Sequence, residues 1–246
     1  MPESDAEFEN RKRTDIAVMA GDDDFRSLSR DWFARSVKHR YSYNFRWLGL
    51  PIIQYPADII AMQELVWRIR PKVIVETGVA RGGSLVFYAS LLELLAGDGT
   101  VVGVEVGLSA ESRSAIQGHP LARRIRLVDG SSVADETVRQ VKSLVAARAP
   151  VLVILDSNHT HEHVLAELRQ YSPLVSKGSY VVVFDTVVEM LPEELRWSRP
   201  WGPGNGPLSA ARAFLAENER FEVDESFDRR LLLSVCPEGF LRCIRD

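Results

Sequence analysis

Five short β-branched runs, at 73–76, 101–105, 125–128, 151–155 and 179–184, alternate with segments of helical character at about 84–96, 109–117, 134–147 and 161–176. No other feature of the chain narrows its fold as far. Strands separated by helical patterns form parallel βαβ units with right-handed crossovers. A further helical stretch at 57–70 stops before Pro71, and a helix is expected from Pro207 to Asn218. Runs at 220–224, 231–236 and 240–244 then suggest an antiparallel edge. The expected fold is α/β: a doubly wound, Rossmann-like, mostly parallel seven-stranded sheet with an antiparallel C-terminal edge strand.

With 246 residues, 46% of them apolar, the chain can bury one substantial core. We expect a single domain over 51–246, preceded by an N-terminal tail and capping segment over 1–50. The first thirty residues are acidic and polar and read as a frayed tail or short capping helix. The aromatics of Y-S-Y-N-F-R-W-L-G-L, ending at Leu50, pack on the domain or roof a pocket. A net charge of −4 with scattered Lys and Arg offers no stripe for nucleic acid, so small molecules are the expected partners. Cys236 and Cys243 are too few for a disulfide scaffold and lack metal-ligand spacing, which fits a reducing cytoplasm. No run approaches a membrane span or a signal peptide. The N-terminal segment and the terminal strands offer surfaces for self-association.

Open parallel sheets bind ligands at the carboxyl ends of their strands, near the point where strand order reverses. Chemistry is therefore sought just after each run. The first ends in V-I-V-E-T-G-V-A-R-G-G-S, from Val73 to Ser84. It lacks the Gly-Lys-Ser/Thr ending of a P-loop, and its G-x-x-x-G-G spacing is not the dinucleotide fingerprint. An acid before a glycine turn suits a ligand with a cationic amino-acid end, and S-adenosylmethionine is such a ligand; a tight turn with no ligand is the plainer alternative. Glu105 closes the second run where an acid accepts hydrogen bonds from a ribose diol. Asp129, Gly130, Ser131 and Ser132 follow the third, placed either to read an adenine or to cap the next helix.

The fourth run enters D-S-N-H-T-H-E-H, Asp156 to His163. Alternating histidines serve one metal only on an extended segment, so a three-histidine zinc site is not expected. Asp156 and His159 should face the pocket, with His161 and His163 on the helix surface. The fifth run ends in Asp185. Two carboxylates closing parallel strands on one edge repel unless a proton or cation separates them, and oxygen ligands favour Mg²⁺ or Ca²⁺.

From about Trp47 to Asp246 the chain resembles class I S-adenosylmethionine-dependent methyltransferases. More closely, it is similar to the cephalosporin hydroxylase and rhamnosyl O-methyltransferase group. The resemblance rests on W-L-G-L-P-I-I-Q-Y-P-A-D, V-E-T-G-V-A-R-G-G-S, L-D-S-N-H-T-H-E-H-V-L-A-E-L, P-L-V-S-K-G-S-Y-V-V-V-F-D and G-P-G-N-G-P. It implies cofactor binding by Glu76, Thr77, Gly78, Ala80, Gly82, Gly83 and Ser84, ribose binding by Glu105, and adenine contacts at Asp129, Ser131 and Ser132. It implies a Mg²⁺ site at Asp156 and Asp185. Family members often carry two consecutive acids at the fifth strand end, where this chain has Phe184-Asp185, so one metal ligand is missing and the ion is expected to be weakly held, completed by water or Asn158, or absent.

The activity implied is S-adenosylmethionine-dependent, Mg²⁺-assisted O-methylation of a sugar hydroxyl, rhamnose or another deoxysugar of a glycolipid, polysaccharide or natural product. In that reaction Asp156 and Asp185 hold the ion against a sugar diol and His159 acts as general base, imidazole being the side chain suited to accept a proton near neutrality. The acceptor is expected beneath Tyr41–Gln54 and Trp197–Gly206, with Trp197, Trp201, Tyr43 and Trp47 as stacking platforms. Two rivals stand beside it: a cephalosporin-hydroxylase-like protein of antibiotic biosynthesis, and a non-catalytic cofactor-binding subunit.

Overall fold

A computed structural model of the chain describes residues 3–146 and 148–246. Two 16-residue helices open it, α1 (Asp5–Ala20) and α2 (Asp23–Lys38). The acidic N-terminal stretch is thus regular helix, and its polar residues explain why. Ser4 and Glu7 form a capping box that satisfies free N–H groups at the start of α1, and Asp22 accepts from Phe25 N at the start of α2. No residue of α1 is buried, whereas α2 turns Phe33 inward to stack on Tyr55 at 4.7 Å. A short antiparallel pair follows, β1 (Phe45–Trp47) and β2 (Leu50–Ile52).

The main sheet holds β3 (Val73–Thr77), β4 (Thr100–Glu105), β5 (Ile125–Asp129), β6 (Val151–Leu155), β7 (Tyr180–Val183), β8 (Phe221–Val223) and β9 (Phe240–Cys243), in the order β5-β4-β3-β6-β7-β9-β8. The first five are parallel. Strand β9 runs antiparallel to both β7 and β8, so the reversed strand lies one place in from the edge. Helices α3 (Pro56–Ile69), α4 (Gly83–Leu94), α5 (Ala110–Gln117), α6 (Asp135–Val145), α7 (His161–Tyr171) and α8 (Pro207–Glu217) accompany it, with a short α9 (Glu225–Arg230) between β8 and β9. Every residue of β3 and β6 is buried because both faces of the sheet are covered. Ile74, Leu85, Phe87, Ile154 and Phe184 belong to one core; Val75, Val153, Leu168 and Phe214 belong to the other.

One expected strand does not form. The apolar run 231–236 is irregular, because its polar groups are claimed by α3 instead of a ladder: Ser234 Oγ and Val235 N both donate to the buried Asp58, at 2.6 and 3.0 Å.

Strand order reverses at β3, whose neighbours are β4 and β6. There the register keeps the strand ends level, with Thr77 opposite Val104 and Leu155, and Leu155 opposite Val183. Backbone bonds continue one step beyond, Asp156 N to Thr77 O and Phe184 N to Leu155 O, both 2.9 Å. Gly78, Asp156 and Asp185 therefore leave the sheet along one edge.

Candidate active site

That edge floors a cavity of about 650 Å³. Its first wall is the β3–α4 turn, where glycine is required for contact as much as for conformation. Gly78 has φ +87°, and a Cβ there would lie 2.0 Å from Asp156 O; a Cβ on Gly83 would lie 2.2 Å from Pro51 O. The two glycines let the end of β6 and the β2 segment close on the turn. Gly83 and Ser84 begin α4 and line the cavity, so the free N–H groups of that helix start border it.

Glu76 lies under this wall, 1% exposed. Ser84 Oγ donates to its Oε2 at 2.8 Å, while Oε1 has no partner. Burial pushes the carboxyl up to about 8 against the opposing Ser84 bond, and Glu105 adds to the rise. Such a group holds a proton or awaits a cation. Glu105 lines the cavity, and its carboxylate accepts from Val79 N and Ala80 N at 3.0 and 3.2 Å and from Val106 N at 2.9 Å. It thus ties the turn to the end of β4.

The opposite wall is made of side chains. Asp156, His159 and Asp185 each bring one ligand atom within 4.8 Å of the others. His159 Nε2 stands 3.3 Å from Asp185 Oδ2. Asp185 adopts φ +57°, a left-handed conformation that Asp tolerates better than most residues with a side chain. Gln54 Nε2 donates to Asp156 Oδ2 at 3.2 Å, and Gln54 Oε1 is buried with no partner. Burial, then the nearby Asp185, Glu76 and Glu167 carboxylates, push the Asp156 carboxyl well above the ordinary range. Among the described residues lining the cavity, Glu105, Asp156 and Asp185 face one cation, Arg81, so the balance along this edge favours added positive charge.

The Rhamnosyl O-methyltransferase/CmcI family model matches residues 39–244. The chain belongs to that family. Rhamnosyl O-methyltransferase of Mycobacterium tuberculosis is 28% identical over 217 residues, which cover 82% of this chain and 82% of that protein. The Mycobacterium leprae protein of the same name is 27% identical over 199 residues, 79% of this chain and 81% of that one. Among solved structures, CmcI with SAH superposes with a TM-score of 0.58 at 22% identity, over 81% of this chain and 82% of that chain. CmcI with Mg and SAM gives 0.56 at 20% identity, over 82% and 77%. These structures share the doubly wound, mostly parallel fold described above.

Of the site residues expected from the sequence, Gly78, Ala80, Gly83, Ser84, Glu105, Ser131, Ser132, Asp156, His159 and Asp185 line the one cavity. Glu76 and Thr77 lie buried beneath it, and Gly82 packs against Ile116 and Leu50 at the start of α4. Asp129 is not brought in: β5 turns its side chain out to solvent, where it pairs with Arg113. The three neighbouring histidines go three ways. His159 precedes α7 and reaches Asp185; His161 Nδ1 meets Ser209 Oγ at 2.9 Å; His163, expected on the helix surface, instead lines the cavity with Nε2 2.9 Å from Ser132 Oγ and 3.2 Å from Ser157 Oγ. Behind it the fully buried Glu167 accepts from Ser157 Oγ at 2.7 Å.

Trp47 is no platform, since it packs edge-on against Phe87 and donates to Ser90 Oγ at 3.0 Å. Tyr43 and Trp201 do line the cavity, Trp201 meeting the His159 ring at 4.9 Å. Phe184 is 1% exposed and sits in the core beside Tyr88 and Met62, so it contributes nothing to the cluster. Asn158 Oδ1 is occupied by Thr160 N and Oγ1. Both expected groups fit: the partnerless Glu76 Oε1 suits an ammonium, and the Asp156 and Asp185 carboxylates, with His159 beside them, suit a divalent cation.

Proposed function

We propose that the protein is an S-adenosylmethionine-dependent, Mg²⁺-assisted O-methyltransferase that acts on a sugar hydroxyl of a small-molecule or glycosylated acceptor in the cytoplasm. One observation carries this reading: the Asp156–His159–Asp185 cluster opens into the same cavity as the glycine turn above Glu76. Membership of the family and the name of the mycobacterial relatives support the choice of a sugar.

Glu76 and the turn would hold the amino-acid end of the cofactor, Glu105 the ribose, and Ser131 and Ser132 the adenine, with His163 behind them. Asp156 and Asp185 would hold the ion, with Gln54 and His159 nearby. A bound divalent ion supplies Lewis acidity toward the acceptor hydroxyl. In the transfer, the acceptor oxygen bonds to the methyl carbon as the carbon–sulfur bond breaks, and the hydroxyl proton passes to His159. With Nε2 turned to Asp185, Nδ1 is the nitrogen left to take it, and the Asp185 carboxylate stabilises the resulting cation. Residues 1–50 act as a cap, through Ser42 and Tyr43, over the catalytic domain of 51–246.

Incubation of the full chain with S-adenosylmethionine, Mg²⁺ and a panel of rhamnosides and other deoxyglycosides, read by mass spectrometry, tests this. A single-methyl gain abolished by EDTA is expected. Binding of S-adenosylhomocysteine with no methylated glycoside anywhere in the panel would overturn the sugar reading.

A further inference from the structure

The cavity continues past Asp185. A second chamber of about 320 Å³ shares Ser157, His159, Asp185 and Trp201 with the first and runs under α2 toward the loop around Arg199. Its walls are of two kinds. Phe33, Leu191 and Leu195 supply apolar surface, while Arg40, Arg196 and Arg199 bring three guanidinium groups. Among the described residues, Asp185 is the one carboxylate lining this chamber, and it already faces His159.

Arg199 lies over the Trp201 ring, 5.2 Å from its centroid, and Trp201 in turn meets the His159 ring at 4.9 Å. The charge is therefore held at a set distance from the site through one indole. Arg196 Nε donates to Leu191 O at 3.1 Å, which anchors its stem in the loop. Arg40 stands at the end of α2 in a left-handed conformation, and it forms no ion pair among the described residues; neither do Arg196 and Arg199. The first chamber is acidic and the second basic, although they share a wall. Arg40 and Arg199 are exposed and Arg196 is half-buried, so these guanidinium groups reach solvent and an incoming anion can pair with them without first displacing a protein carboxylate.

We propose that the acceptor carries an anionic group, a carboxylate or a phosphate, on an apolar body beyond the methylated hydroxyl, and that Arg40 and Arg199 bind it. This rests on the methyltransferase reading for its identification of the ligand as the acceptor. Charge-assisted and bidentate bonds of guanidinium to such groups favour the anion over a neutral isostere by about tenfold or more.

The test is calorimetry on the full chain loaded with S-adenosylhomocysteine and Mg²⁺. Three ligands are compared: 4-carboxyphenyl α-L-rhamnoside, its methyl ester, and the corresponding aryl phosphate. At least tenfold tighter binding of one anion than of the ester is expected, weakening as salt rises; which anion wins identifies the source. In Arg40→Gln/Arg199→Gln the preference should fall to within about twofold, with S-adenosylhomocysteine affinity as in the wild type as the control for folding. Should that variant not fold, the salt dependence of the wild-type preference decides alone. Equal binding of anion and ester, no binding of any of the three, or a preference that survives the double substitution or is insensitive to salt overturns the proposal. Methyl gain is read separately: a tightly bound anion that gains no methyl refutes the sugar reading and leaves the anion site standing.

Discussion

At the β3–α4 turn the surface offered to a ligand is largely backbone, with Glu105 holding the Val79 and Ala80 amides in place and Glu76 buried below. Across the cavity, at the ends of β6 and β7, the surface is side chain: Asp156, His159 and Asp185, steadied by Gln54 and Trp201. The first wall comes from one contiguous stretch and can be rigid before anything binds. The second is gathered from the stretch after β2, two strand ends and a late loop, and it concentrates acids that repel until a cation arrives. Binding of the cofactor and activation of the acceptor are thus carried by structures that can be perturbed separately.

The largest effect should come from cutting one wall and sparing the other. Asp156→Asn is expected to lower kcat/KM for methyl transfer by about 10³-fold, on the order of the several kcal/mol that metal assistance supplies. Affinity for S-adenosylhomocysteine should stay within about twofold of wild type. A parallel collapse of cofactor binding in calorimetry would show the two walls to be inseparable.

Gly78→Ala strikes the seam between them, because the added Cβ would lie 2.0 Å from Asp156 O and the residue has φ +87°. A loss of roughly 2–3 kcal/mol is expected, visible as a fall in Tm of about 5–10 °C, with at least about tenfold weaker cofactor binding. An unaltered melting curve would show that the strand ends separate more easily than their register implies.

The turn itself can be probed through pH. Glu76 is raised to about 8 from an ordinary 4.5, so its protonated form is favoured in the folded, ligand-free protein. The stability this contributes is complete below about 4.5 and is lost as pH rises through about 8. Asp58, raised to about 7 by burial against the opposing Ser234 and Val235 bonds, acts in the same direction over a lower range. Ligand-free Tm should therefore fall between pH 6 and 8.5, less steeply in Glu76→Gln and in Asp58→Asn. Cofactor binding should run the other way. The carboxyl must shed its proton to face an ammonium, so wild-type affinity for S-adenosylhomocysteine rises about tenfold from pH 6.5 to 8.5 while Glu76→Gln shows a flatter profile.

The smallest contrast lies between two tryptophans. Trp201→Ala should raise the acceptor KM roughly tenfold through lost stacking, with cofactor Kd unchanged. Trp47→Phe should cost only about 1 kcal/mol of stability, from the lost bond to Ser90, with no change in acceptor KM.

How much of this could be read from the chain follows from the same division. Strand ends are legible because a β-branched run stops where the sheet stops, and Glu76, Glu105, Asp156 and Asp185 stand at such ends. Glycines crowded into one turn announce close backbone approach, which Gly78 and Gly83 make. Contacts set by packing were not legible. Gln54 meets Asp156 across 102 positions of sequence, and nothing local to either signals it. Its position alone puts His163 on the helix surface, yet the first turn of α7 abuts the ends of β5 and β6, so a side chain there faces the cavity. Asp129 ends a strand like the others, but its side chain turns to solvent and Arg113. The 231–236 run was strand-like in composition, but the buried Asp58 carboxyl takes Ser234 and Val235.

A crystal grown with S-adenosylhomocysteine and Mn²⁺, with the anomalous signal recorded, bears most directly on the joining of the two walls. The expected result is one manganese peak bridging the Asp156 and Asp185 carboxylates, with the ligand in the same cavity and its ammonium on Glu76. A peak elsewhere, or a nucleoside bound away from the β3–α4 turn, would contradict it.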